Sequence, residues 1–205
     1  QGNAIRDYFL NYKSYNSDIA VDFAAGTVET LSNGYDENWR VVLAETGAET
    51  LTGSRIARAL KYVRGETFFA TYGDGVANVD LDQLLAHHVQ SRRLATVTAV
   101  RPSSRYGELA IDGGRVTSFR EKPQVTEGWI NGGFFVFQKR AFDHLRPDEN
   151  VTLEESVLET LAGDTQLAVY KHHGFWQSMD TYREMTLLND IWASGNAPWH
   201  IWQEC

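Results

Sequence analysis

Apolar positions recur every three to four residues over 5–15, where Ile5, Tyr8, Phe9 and Tyr12 share one face, and the spacing predicts a helix. Alternation over 19–23 predicts a short strand, the run 33–38 a turn-rich loop, and the apolar stretch 40–44 a second strand. Ile56, Ala59, Leu60 and Val63 fall on one helical face and predict a helix over 54–63. The aromatic run 67–72 stops at Gly73-Asp74-Gly75 and reads as a buried strand ending in a tight turn. Asp80 is placed to cap a helix over 81–92, with Leu81, Leu84, Leu85, His88 and Val89 inward. A β-branched strand follows over 94–100. Strand, helix, strand in that order implies parallel strands with crossover helices.

The second half is richer in strands. Residues 109–112 and 116–119 flank Gly113-Gly114 as a hairpin, and 129–137 form a long apolar strand that carries Gly132-Gly133. Helices are expected over 153–162 and 181–192, with a strand over 167–170 between them. The reading is a single α/β domain, with a Rossmann-like, mainly parallel mixed sheet flanked by helices and a β-rich second half.

Composition narrows the function classes. The 19 Lys and Arg against 27 Asp and Glu give a formal net charge of −8. Such a chain is a poor non-specific partner for nucleic acid or anionic membrane. The lone cysteine, Cys205, makes no internal disulfide or cysteine zinc site, and a reducing, cytoplasmic setting is expected. No apolar run approaches the ~20 residues of a membrane helix. The start, Gln1-Gly2-Asn3-Ala4, has neither a Met nor the features of a signal peptide, so a chain truncated at its front is expected.

Asp74 is the leading candidate for chemistry. It sits between two glycines after a strand, where α/β sheets bind ligands. Its carboxylate suits Mg²⁺ shared with substrate phosphates, or closes an Asx-type turn. Asp180 either caps the helix that follows or joins Asp74 on one metal ion. Lys122, in Glu121-Lys122-Pro123, offers a point charge for a phosphate and Glu121 an acceptor for sugar hydroxyls, or the two form a solvated charge pair. Asn131 precedes glycines that weaken a strand and mark the close approach of a ligand or backbone. The run 50–55 leads into a helix. Thr52 or Ser54 caps it, or the run contacts a nucleotide with Arg55 reaching a base or phosphate. The pairs His87-His88 and His172-His173 lack chelating spacing and are read as structural. Trp199 and Trp202 are expected to pack on the body or on a second subunit.

The motifs together resemble the glucose-1-phosphate cytidylyltransferase family over essentially the whole chain. They are Tyr72-Gly73-Asp74-Gly75-Val76-Ala77, Arg105-Tyr106-Gly107, Glu121-Lys122-Pro123, Ile130-Asn131-Gly132-Gly133-Phe134-Phe135-Val136, Phe175-Trp176-Gln177-Ser178-Met179-Asp180-Thr181 and Ala197-Pro198-Trp199. The resemblance implies a GT-A-like nucleotidyltransferase making CDP-glucose and pyrophosphate from CTP and α-D-glucose 1-phosphate with Mg²⁺. Asp74 and Asp180 would hold the metal and Lys122 the sugar phosphate. Tyr106, Gly107, Glu121, Asn131 and Gly132 would contact the sugar, while Thr50, Arg55 and Gly73 would line the CTP side. Residues 1–100 would form the nucleotide part and 101–205 the sugar-phosphate part with an oligomerisation tail. A homo-oligomer, a hexamer among its forms, and a place in bacterial surface-polysaccharide synthesis are further implications.

The family begins with a strand and a loop of the form Gly-Gly-x-Gly-Thr-Arg-Leu, followed by a Lys-Pro motif separate from Lys122-Pro123, and neither that loop nor that second Lys-Pro occurs here. Ser178 stands where the family often has Pro, and Asn78 where an acid is common. Two other readings stay open: a relative using dTTP or UTP, and a non-catalytic sugar-phosphate-binding subunit.

Overall fold

Why the long apolar run becomes an inner strand of the main sheet is visible in the computed structural model, which describes residues 1–32, 38–102, 108–112, 115–120, 128–146 and 148–201. The chain divides into two compact units, Gln1–Gly47 and Ala48–Cys205.

The first unit opens with helices α1 (Gly2–Leu10) and α2 (Tyr12–Tyr15). Tyr8 packs edge-on to Phe9 and Tyr12, and Tyr12 meets Trp39 at 5.7 Å. Strands β1 (Ile19–Asp22) and β2 (Thr27–Thr30) pair antiparallel. The Asp22 carboxylate accepts from the Ala24 and Ala25 amides, and Gly26 takes φ +67° to close the hairpin. The strand expected over 40–44 does not form. Val41 and Val42 stay 45% and 42% exposed and pair with no ladder among the described residues. Their side chains suit a pleated surface, but a strand needs a partner.

The second unit begins with α3 (Thr52–Ala59) and a 3₁₀ turn, then β3 (Thr67–Thr71), β4 (Gly75–Ala77), α4 (Leu81–Ser91) and β5 (Ala95–Val100). The hairpin β6 (Glu108–Asp112) and β7 (Arg115–Arg120) follows as expected, then β8 (Ile130–Gln138). A π-helical turn (Glu154–Leu158) runs into α5 (Glu159–Gly163), and β9 (Leu167–Lys171), β10 (Trp176–Ser178) and α6 (Tyr182–Ala193) complete the order.

The main sheet has the order β3-β8-β5-β9. β8 runs antiparallel to β3 and β5, and β9 runs parallel to β5. Three strands therefore share one direction, with β8 inserted against them. Along β8, Phe135 and Phe137 face one way, onto Phe142, Leu153, Val157 and Leu161, while Val136 faces Leu84 of α4. Burying side chains of this size stabilises by roughly 1.5–3 kcal/mol each. The sheet is thus covered on both faces by helices.

Two local expectations change. The run 67–72 is not a buried strand. β3 lies at an edge of the described sheet, and Phe69 remains 44% exposed. On α4, Leu84 and His88 are buried as expected, but Leu81 and Val89 are exposed. Asp80 does cap α4, accepting from the Gln83 amide at 2.9 Å. No helix among the described residues is long and apolar enough to cross a membrane.

Candidate active site

Asp74 and Asp180 are brought together by a two-stranded ribbon. β4 and β10 pair antiparallel, with Gly75 opposite Ser178. One step beyond that pair, the Met179 amide donates to the Asp74 carbonyl at 2.6 Å. Asp74 thus directly precedes one strand of the ribbon, and Asp180 lies two residues past the end of the other. Both acids line one cleft of about 270 Å³, with Tyr72, Asn131, Gly132 and Ser178 on its walls.

Neither acid is committed to the bland role its sequence position allows. Thr181, not Asp180, caps α6. Its hydroxyl accepts from the Glu184 amide and the Glu184 carboxylate accepts from the Thr181 amide, a reciprocal capping box. Asp180 instead accepts from the Ser178 hydroxyl at 3.0 Å. The Asp74 carboxylate closes no Asx turn among the described residues. It is the Asp74 backbone carbonyl that the ribbon uses.

Asn131 and Gly132 enter the cleft from the start of β8. The Asn131 side-chain oxygen accepts from the Gly133 amide at 2.9 Å, which fixes the carboxamide. The close approach that demands glycine here comes from the protein itself. A Cβ on Gly132 would lie 2.7 Å from Val100 Cγ1, and one on Gly133, at φ +78°, would lie 2.9 Å from the Tyr72 ring. The β5–β8 register shifts between Val97 and Ala99 in the same place.

Tyr72 holds the cleft's back wall. Its amide donates to the Gly133 carbonyl, its ring meets Phe135 edge-on, and its hydroxyl donates to the Glu154 carboxylate. Burial pushes the phenol's pKa well up. The bond to Glu154 and the charge of Asp74 push the same way, against a smaller opposite effect from Asn131.

Of the other sequence candidates, Gly73 directly precedes Asp74, with open space where its side chain would be. Thr50 and Arg55 are not brought into this cleft. Thr50 accepts from the Arg58 guanidinium at 2.7 Å, and Arg55 donates to the Ala48 carbonyl at 3.0 Å. Thr52 and Ser54 do not cap α3, whose N-cap is Leu51. They bond instead to residues 149–154. Tyr106, Gly107, Glu121 and Lys122 lie outside the described residues. His88 is structural, its Nδ1 2.9 Å from the Thr96 hydroxyl. Trp199 packs on Phe175 at 5.4 Å, while Trp202 lies outside the described residues. No group of three or more His, Cys, Asp or Glu side chains poised for a metal ion occurs among the described residues.

Sequence reasoning gave no separate role to Trp176, Ser178 or Glu154. Trp176 had a signal, an indole inside a polar strand end. Glu154 had none, because its partners Tyr72 and Thr52 are remote in the chain.

The nucleotidyl transferase family profile matches residues 25–186. The chain is 40% identical over 202 residues to a Bacillus subtilis protein described as a probable glucose-1-phosphate cytidylyltransferase, covering 98% of this chain and 78% of that protein. It is also 40% identical over 204 residues to the glucose-1-phosphate cytidylyltransferase of Salmonella typhi, covering 99% of this chain and 79% of that protein. The fold is similar to that of HddC from Yersinia pseudotuberculosis, with a TM-score of 0.54 at 20% identity over 71% of this chain and 64% of that one.

Proposed function

The chain belongs to the nucleotidyl transferase family, and we propose that it converts CTP and α-D-glucose 1-phosphate to CDP-glucose and pyrophosphate. Identity of 40% to glucose-1-phosphate cytidylyltransferases supports the substrate pair. The single structural observation that carries the chemistry is the shared cleft of Asp74 and Asp180.

A phosphate oxygen of the sugar phosphate attacks the α-phosphorus of CTP. The bond to the bridging oxygen breaks in line, and pyrophosphate leaves with that electron pair. The protein forms no covalent bond in this route, so its contribution is orientation and charge placement. The donor set fits a Mg²⁺ ion, because two carboxylates border an open cleft with room for phosphate oxygens and water. Asp74 and Asp180 would hold it, and it would neutralise charge on the phosphates. Ser178 orients Asp180 by donating to it. Asn131 presents its fixed carboxamide to the sugar, with Gly132 beside it on the same wall. Lys122 meets the sugar phosphate and Glu121, Tyr106 and Gly107 meet the sugar, while Thr50, Arg55 and Gly73 serve the CTP side. These roles rest on the family resemblance. A cytoplasmic homo-oligomer is proposed on the same basis, with sedimentation velocity to test the assembly.

The test is pyrophosphate release with glucose 1-phosphate and Mg²⁺, offering CTP, dTTP, UTP and ATP in turn. CTP-selective turnover is expected. Equal turnover with dTTP or UTP would overturn the base assignment. Sugar-phosphate binding without turnover on any nucleotide would point to a non-catalytic subunit.

A further inference from the structure

One carboxylate joins the cleft to a distant segment of the chain. Glu154 Oε1 accepts from the Tyr72 hydroxyl, and Glu154 Oε2 accepts from the Thr52 hydroxyl at 3.4 Å. Tyr72 lines the acidic cleft, and Thr52 opens α3 within the segment that also carries Thr50 and Arg55.

We propose that Glu154 is a positioning residue that acts through Tyr72 to fix the turn carrying Asp74, and through Thr52 to hold the start of α3 in register with it. This rests on the nucleotidyl-transfer reading above.

Four observations carry it. First, Glu154 is itself held. It opens the π-helical turn between Leu153 and Val157, which are 1% and 0% exposed. Turns of this kind are rare and are frequent at functional sites.

Second, the Thr52 end is stitched to the same base. The Leu153 amide donates to the Thr52 hydroxyl at 2.9 Å. The Ser54 hydroxyl donates to the Glu149 carbonyl and accepts from the Val151 amide. A Cβ on Gly53 would lie only 2.7 Å from the Thr152 carbonyl oxygen. The start of α3 therefore moves with residues 149–154.

Third, Tyr72 is a stiff link. Its ring lies against Gly133 and Phe135, its amide donates to the Gly133 carbonyl, and its hydroxyl donates to Glu154.

Fourth, only Gly73 separates Tyr72 from Asp74, and nothing packs where its side chain would be. The turn is held by Tyr72 on one side and by the Met179 bond to the Asp74 carbonyl on the other. Removing Glu154 releases the hydroxyl end of the first of these anchors without touching the core. An exposed carboxylate adds little to global stability, so the effect falls on geometry.

The test uses the full chain with E154A, E154Q, Y72F and the E154A/Y72F pair. Steady-state kinetics give kcat and KM against Mg²⁺ concentration. Mn²⁺ binding, followed by water-proton relaxation, provides a readout that needs no turnover. E154A is expected to lower kcat about 10-fold, to raise the Mg²⁺ concentration for half activation, and to weaken Mn²⁺ binding, with an unchanged melting temperature. E154Q keeps the acceptor for Tyr72 and should restore most of the loss. The double variant should be no worse than E154A alone. Wild-type kcat and Mn²⁺ affinity in E154A would overturn the proposal. So would E154A and E154Q losses that track a fall in melting temperature, or additive losses in the double variant. A wild-type chain without turnover, but with Mn²⁺ binding weakened by E154A, would overturn the functional reading and leave the positioning role standing.

Discussion

The indole Nε1 of Trp176 donates to the carbonyl of Gly132 at 2.8 Å. This bond ties the β4–β10 ribbon, which carries the two acids, to β8 of the main sheet. β4 and β10 are three residues each, too short to hold their place by ladder bonds alone. The ribbon therefore relies on this side chain for its position over the cleft.

Replacing Trp176 by Phe keeps the aromatic bulk and removes the donor. The Gly132 carbonyl, on a buried residue, would lose its partner, a loss worth about 1–3 kcal/mol. The urea midpoint should fall at constant slope, and turnover should fall further than stability, because Asp180 moves with β10. Wild-type turnover in this variant would show that the ribbon is placed without the indole.

Gly132→Ala should destabilise by about 1–3 kcal/mol. Its Cβ would press on Val100 Cγ1 at 2.7 Å and on the Thr98 carbonyl oxygen at 3.0 Å, and Val100 is only 1% exposed, with nowhere to go. Denaturant unfolding measures this directly. An unchanged midpoint would mean that the two strands can part at the bulge.

What was legible in the sequence was mostly local. The apolar run of β8, the Asp80 cap of α4 and the Gly-Gly hairpin each carry their signal within a few residues. The misses are non-local. Residues 40–44 have the composition of a strand, yet strand formation depends on a partner that composition does not name. β2, β4 and β10 are three or four residues long and mostly polar or small, so alternation has no room to show. The meeting of Asp74 and Asp180 follows from the pairing of Gly75 with Ser178, a register no periodicity encodes. The residues offered that pair as one of two readings of Asp180, and the resemblance singled it out. It supplied nothing about Glu154, which has no motif of its own and is defined by what it holds.

Asp180→Asn should separate charge from shape. The amide is nearly isosteric and its oxygen still accepts from Ser178, so the local bond survives. Thr181 caps α6 independently, so the helix stays intact. Turnover should fall by about 10²–10³-fold, as when one group that stabilises transition-state charge is lost, with the melting temperature close to wild type. Thr181→Ala should do the reverse, costing about 1 kcal/mol of stability and little activity. Equal effects of the two substitutions on both readouts would sink the assignment of Asp180 to chemistry.

Stability should also fall on mild acidification, and His88 is the reason. Its ring is 1% exposed, with Nδ1 against the Thr96 hydroxyl, and burial first, then the neighbouring His87, lowers its pKa below the usual 6.5. The unfolded chain therefore binds a proton at a pH where the folded chain does not. That difference favours unfolding as pH drops. The stabilisation is fully present above about 6.5, the unfolded pKa. It is lost progressively as pH falls from there through the lower folded value. His88→Gln does not titrate and can still bond Thr96. Urea unfolding at pH 7.5 and 5.5 should show a drop in wild type that shrinks in the variant. An equal drop in both would place the acid sensitivity elsewhere, because every other group is shared between the two chains.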